Sequence, residues 1–212
     1  MGRTKEHYFE TLVGQADMSR SRSPAPRGSS AVIPPVKAWS FEKTTLEGKT
    51  WAISHGGKPI ELTLEAVYSP FNLSSFNENS RKVLTLRLPK EWDDVFGCME
   101  ACLLHEVQEQ SGRFFGGPQS AEHISERYKA ISKKNDAYPR HIRVKVNTTG
   151  ISASRYWDKD KQRIVAPVDH TGLLLTTKII LRALWFAEDA WGLVCDATDL
   201  MLQDDVSVEC PF

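Results

Sequence analysis

Between Lys133 and Arg163 the 212-residue chain concentrates nine basic residues against three acids. Two flat rings, Tyr156 and Trp157, lie inside that run. In the stretch "HIRVKVN", Arg143 and Lys145 alternate with Ile142, Val144 and Val146. A strand there puts the cations on one face and the aliphatic residues on the other. Cations spaced along a surface track phosphates, and aromatic rings among them stack on unpaired bases, each base contributing about 1–3 kcal/mol whatever its identity. The candidates for such contacts are Arg140, Arg143, Lys145, Arg155, Tyr156, Trp157, Lys159, Lys161 and Arg163. The same pattern also describes a solvated strand face beside a core tryptophan. The residues alone leave both readings open.

No other group of residues points to chemistry. Cys98, Cys102 and His105 recur at i, i+4 and i+7, on one face of a helix. A structural zinc site pairs closely spaced ligands from a turn with two more elsewhere, and no fourth ligand is evident. These three residues read as a stripe of small core residues, with no metal. Asp169 and His170 have no accompanying nucleophile motif, and no phosphate-cradling loop or metalloprotease signature occurs. Asp93 and Asp94 fit the positive dipole end of a helix start. The sequence therefore predicts a protein that is not an enzyme and needs no cofactor. The Gly-rich "GRFFGGP" reads as a hinge between helices.

The elements that position the basic segment follow from periodicity. Residues 14–35, rich in Ser, Pro, Gly, Ala and Arg, read as a flexible arm. From Val36 the chain turns β-like, with a turn at His55-Gly-Gly-Lys58. "RKVLTLRLP" alternates, with Leu84, Leu86 and Leu88 on one face and Val83, Thr85 and Arg87 on the other. The period then becomes helical, with Trp92, Val95, Phe96, Met99, Cys102, Leu103 and Val107 on a stripe that Gly112 closes. A second helix is expected over residues 121–133. The β pattern returns after Pro139, and two long strands flank Glu188-Asp189. The division is an arm at 1–35, a mainly β domain at 36–203 with a helical insertion at about 90–134, and a tail at 204–212.

Composition bounds the setting. The formal net charge is zero, with 27 basic and 27 acidic residues, but it is unevenly laid out. The middle is basic, whereas the last thirty residues carry seven acids and no Lys or Arg. Four unevenly spaced cysteines suggest an intracellular, reducing compartment rather than a disulfide scaffold. No apolar run reaches the roughly eighteen residues of a membrane span. Glu6 occupies the place where N-myristoylation wants Ser or Thr.

The last third combines a basic strand ("HIRVKVN"), an aromatic turn ("RYWDKD"), a long strand ending in Trp185, and the aromatic-Gly start Trp191-Gly192-Leu193. This order resembles the closing half of the OB-fold single-stranded-DNA-binding proteins of phages and of large nucleocytoplasmic DNA viruses. The resemblance implies an OB-fold-like β-barrel with an inserted pair of helices, acting on single-stranded DNA in replication, recombination and repair. Trp185 and Trp191 would then form core or groove wall. The end of the chain, "DDVSVECPF", is similar to the acidic tips of such proteins. By that likeness Asp204, Asp205, Glu209, Pro211 and Phe212 would bind replication partners such as a polymerase, helicase or primase. A homodimer is also compatible. The competing reading is a β-sandwich capsid or other structural viral protein whose "SRSRSPAPRGSS" arm holds nucleic acid.

Overall fold

The computed structural model describes residues 33–44, 49–75, 81–135 and 138–203. Five of its strands form a closed ring: β3 (Ile60–Tyr68), β4 (Arg81–Arg87), β7 (Tyr138–Asn147), β10 (Leu174–Phe186) and β11 (Trp191–Leu202). Around the ring the order is β3-β4-β7-β11-β10, and β10 returns to β3. In chain order this is first, second, third, fifth, fourth, with β7 and β11 parallel and the other pairs antiparallel. That is the five-stranded Greek-key barrel of the OB-fold, closed rather than split into the two facing sheets of a sandwich.

Alternation builds the barrel interior. On β4 and β7, Leu84, Leu86, Ile142, Val144 and Val146 are fully buried. Leu62, Leu64, Leu175, Ile179, Leu181 and Leu200 meet them from the other strands. Each such side chain contributes about 1.5–3 kcal/mol by leaving water. Closure needs local coiling, which bulges supply. Register shifts between Lys178 and Ile179 and between Leu181 and Ala183 bend β10 against β11. On β3, Ala66 takes a left-handed φ of 51°, beside a third shift in the β3–β10 ladder.

Shorter strands extend the barrel wall. β1 (Ser40–Lys43) and β2 (Thr50–Ser54) pair with each other, and β2 adds to the far end of β10. The His55-Gly-Gly-Lys58 turn therefore carries the chain along one edge of β10, from β2 to β3. Its two glycines both have positive φ. β8 (Arg155–Trp157) and β9 (Arg163–Ile164) form a hairpin on β11.

The helices lie between β4 and β7. They are α1 (Glu91–Glu109), α2 (Ser111–Phe115) and α3 (Ala121–Arg127). The buried stripe of α1 is Phe96, Met99, Leu103 and Val107. Cys98, Cys102 and His105 face solvent instead, which corrects their reading as core. No group of three metal-ligating side chains occurs among the described residues. The "GRFF" segment is not a hinge but the helix α2. Its Phe114 packs 5.1–5.5 Å, centroid to centroid, from Trp51, Phe41 and Phe186.

The second predicted helix stops at Arg127, short of residue 133. Tyr128 and Lys129 form β5, parallel to Trp191 and Gly192, and β6 (Ser132–Asn135) then joins β7. This pairing explains the aromatic-Gly start of β11. A Cβ on Gly192 would lie 2.8 Å from the Lys129 carbonyl oxygen and 3.1 Å from Trp185 Nε1. Trp191 is fully buried and donates its indole N–H to the Ile124 carbonyl at 2.8 Å. Among the described residues no helix is long and apolar enough to cross a membrane.

Candidate nucleic-acid interface

Register decides which predicted contact residues reach the outer surface. Arg155, Tyr156 and Trp157 lie opposite Asp199, Leu200 and Met201 in the parallel β8–β11 ladder. With a period of two, Arg155 and Trp157 share the outer face with Asp199, while Tyr156 follows Leu200 inward. Tyr156 is 4% exposed, and its hydroxyl lies 2.8 Å from Nε2 of the fully buried His170. Burial pushes the phenol up to about 12 and pulls the imidazole below its ordinary value against the nearby Asp169 charge. Tyr156 therefore has no free face for a base, which corrects its assignment as a stacking residue.

Trp157 is the ring at the surface. Its Nε1–H donates to Asp199 Oδ1 at 2.9 Å, and Arg155 Nη2 donates to Asp199 Oδ2 at 2.7 Å. The Arg155 guanidinium also lies 5.9 Å from the indole centroid. One carboxylate thus fixes both side chains, and the ring cannot turn freely. The hydrogen bond and charge of Asp199 push the Arg155 guanidinium above its ordinary value.

Beside Trp157 the outer surface is concave, with a groove of about 350 Å³. Trp157, Met201, Thr176 and Thr63 line it, and Lys161, Lys178 and Asp199 complete it. Lys178 pairs with Glu61 at 2.5 Å, and both side chains are well exposed. Lys161 is delivered by a tight turn in which Asp158 N bonds the Gln162 carbonyl at 3.0 Å and Lys161 N bonds the Asp158 carbonyl at 3.1 Å. Its φ of 60° is the left-handed value such a turn imposes. Lys159 and Arg163 are exposed on the same hairpin.

The other predicted cations divide. Arg143 and Lys145 sit half-exposed on the outer face of β7, opposite Thr85 and Val83. Arg140 does not join them. Its Nε donates to Asp93 at 2.7 Å and its Nη1 to Ser132 Oγ at 2.7 Å, and the side chain is 15% exposed. Arg140 is a brace between α1 and β7, because the alternation of β7 turns it from the Arg143 face towards the helix. The hydrogen bonds from Lys134 and Arg140 hold the Asp93 carboxyl below its usual range.

Lys178, Thr63, Thr176 and Met201 were not foreseen as part of a site. The one signal was a lysine inside the apolar run "LLLTTKIIL". Asp204, Asp205, Glu209, Pro211 and Phe212 lie outside the described residues.

No protein-family model matches the chain, and no curated protein does. Among solved structures it is similar to the single-stranded DNA-binding protein of bacteriophage Enc34 in complex with single-stranded DNA. That match has 10% identity, covers 79% of this chain and 96% of that one, and has a TM-score of 0.45. A C-terminal truncation of the Enc34 protein matches with 10% identity over 80% and 96% of the two chains, at a TM-score of 0.46. The single-stranded DNA-binding protein gp2.5 of bacteriophage T7 matches with 14% identity over 68% and 86%, at 0.44. These are phage proteins of the kind the sequence resembles.

Proposed function

We propose that this protein binds single-stranded DNA without strong sequence preference, as a non-enzymatic component of DNA replication. The observation that carries the reading is the groove beside Trp157, where an immobilised indole and the floor residue Met201 adjoin the cations Lys161 and Lys178. An unpaired base fits against the ring, and the phosphates on either side of it meet the rim cations. Arg143, Lys145, Lys159 and Arg163 extend the positive surface along β7 and the β8–β9 hairpin. Arg155 acts by positioning Trp157. A base buried in a duplex cannot reach such a ring, which favours single strands.

The reading divides the chain as the sequence suggested, into an arm at 1–35, the barrel at 36–203 and an acidic tip at 204–212. The tip serves to recruit replication proteins, and recombination and repair are further settings for the same activity. The test is fluorescence anisotropy of a labelled oligo-dT about thirty nucleotides long, more than one OB-fold site. It is run at two salt concentrations with duplex DNA as competitor. Tight binding that weakens steeply with salt and resists duplex supports the reading. Absence of binding, also after removal of residues 204–212, overturns it.

A further inference from the structure

We infer that Arg87, His141 and Lys133 form a second contact for the sugar–phosphate backbone, one that takes up a proton at His141 when the strand binds. The inference rests on the single-strand reading above and adds to it a site and a pH dependence.

The three residues form one row across three strands. His141 of β7 lies directly opposite Arg87 of β4 on one side and Lys133 of β6 on the other. Neighbouring strands are about 4.8 Å apart, so basic side chains directly opposite one another repel. Nothing within the described residues relieves this. None of the three has an ion-pair partner there. The adjacent acid Asp93 is engaged on the opposite side of β7 by Lys134 and Arg140. Arg87 is steadied at the surface by the Tyr68 ring, 5.5 Å away. Such a row costs stability in the free protein, and an anion lying across it removes the cost.

The row continues along β7. His141, Arg143 and Lys145 recur every second residue, about 7 Å apart along the strand, and reach the β11 edge where Lys145 lies opposite Asp196. Asp196 itself is bonded by Arg182. The backbone of one strand could thus pass from the Trp157 groove along β7 to this row.

The groups facing His141 are Arg87 from β4, Lys133 from β6 and Arg143 on its own strand, and all are cationic. Partial burial, followed by the charges of Lys133, Arg143 and Arg87, holds the imidazole below its ordinary value. It is therefore neutral at neutral pH in the free protein. A phosphate on the row supplies the opposite charge and favours imidazolium. With the pKa higher in the complex than in the free protein, affinity rises as pH falls through the complex's value. The rise levels off below the free protein's value.

The experiment titrates oligo-dT into the full chain and into H141Q and H141K, from about pH 8 to about pH 6, which spans imidazole titration. Calorimetry in two buffers of different ionisation enthalpy counts the protons taken up. The wild-type affinity is expected to rise about 3- to 10-fold over that range, with net proton uptake. H141Q should lose most of that rise. H141K should bind at the upper pH about as tightly as the wild type does at the lower. R87A and K133A should each reduce the salt slope by about 1. Tight binding with no proton uptake, or an H141Q slope equal to wild type, overturns this inference and leaves the single-strand reading standing. No binding of oligo-dT by any variant, wild type included, overturns the single-strand reading itself.

Discussion

Trp157 donates its indole N–H to Asp199 at 2.9 Å while Arg155 occupies the other oxygen of the same carboxylate at 2.7 Å. An exposed tryptophan normally loses rotamer freedom when it binds a ligand, and that loss subtracts from affinity. Here the β8–β11 pairing places the acceptor beside the ring in the free protein. The ring is already held where a base would meet it.

The proposed stacking on Trp157 and the burial of Tyr156 make opposite demands on adjacent residues. Trp157→Ala should weaken oligo-dT binding by about 1–3 kcal/mol, roughly 5- to 150-fold in Kd. Its melting temperature should fall modestly, because the ring is half-buried and its N–H bonds Asp199. Tyr156→Phe should leave Kd unchanged and lower stability by about 1–3 kcal/mol, since it strips His170 of its hydroxyl partner. His170 Nδ1 already has no hydrogen-bond partner, so no second bond compensates. Parallel anisotropy and thermal melts separate the two effects. A loss of affinity in Tyr156→Phe equal to that of Trp157→Ala would mean that the Tyr156 hydroxyl reaches the DNA, against its buried bond to His170.

The Asp199 carboxylate also gives the fold an acid limit. Its burial raises the carboxyl, and the hydrogen bonds from Arg155, Trp157 and Thr198, with the Arg155 charge, outweigh that and leave it below the ordinary value. A carboxyl lower in the folded than in the unfolded chain contributes stability that is complete above the unfolded value, about 3.9. The contribution fades as pH falls through the folded value. Asp199→Asn should therefore melt below the wild type at neutral pH, and the gap should narrow below about pH 4. Melting curves across that window check it. A gap constant with pH would mean that the carboxylate charge contributes nothing.

Alternation made most of the barrel legible. The apolar phases of β4 and β7 and the two long strands flanking Glu188-Asp189 follow from residue type alone. What sequence could not supply was the phase of short elements. In Arg155-Tyr156-Trp157 either ring could face inward. The choice is made by Leu200 and Met201, more than forty positions downstream. The same holds for α1, where Cys98 and Cys102 share a helical face, but the stripe from Phe96 to Val107 claims the core. Arg140 looked like Arg143 because nothing local reveals that Asp93 waits on the helix behind it. Lys178 was hidden by the apolar residues around it, and only its place opposite Thr63 and beside Asp199 shows it to be a rim cation.

Glu100 tests how the helices hold the β7 side of the barrel. This carboxylate is 6% exposed. Its Oε1 accepts from the Tyr128 hydroxyl at 2.7 Å and from the Ile131 N–H at 3.0 Å. Its Oε2 accepts from the Ser132 hydroxyl and lies 4.0 Å from Arg140 Nη1. Tyr128 is pushed well above its ordinary value, first by burial and then by the Glu100 charge, so its hydroxyl remains a donor throughout the accessible pH range. Glu100→Ala leaves these donors without their acceptor and should cost about 3 kcal/mol or more in stability. Glu100→Gln keeps one carbonyl acceptor and should cost less. Both effects should be confined to folding. At a temperature where each variant is fully folded, its affinity for oligo-dT should match the wild type, because Glu100 lies among α1, β5 and β6 and does not line the Trp157 groove. Denaturant melts paired with anisotropy make the comparison. A loss of affinity in folded Glu100→Gln would show that the helical insertion shapes the proposed DNA-binding surface as well as the core.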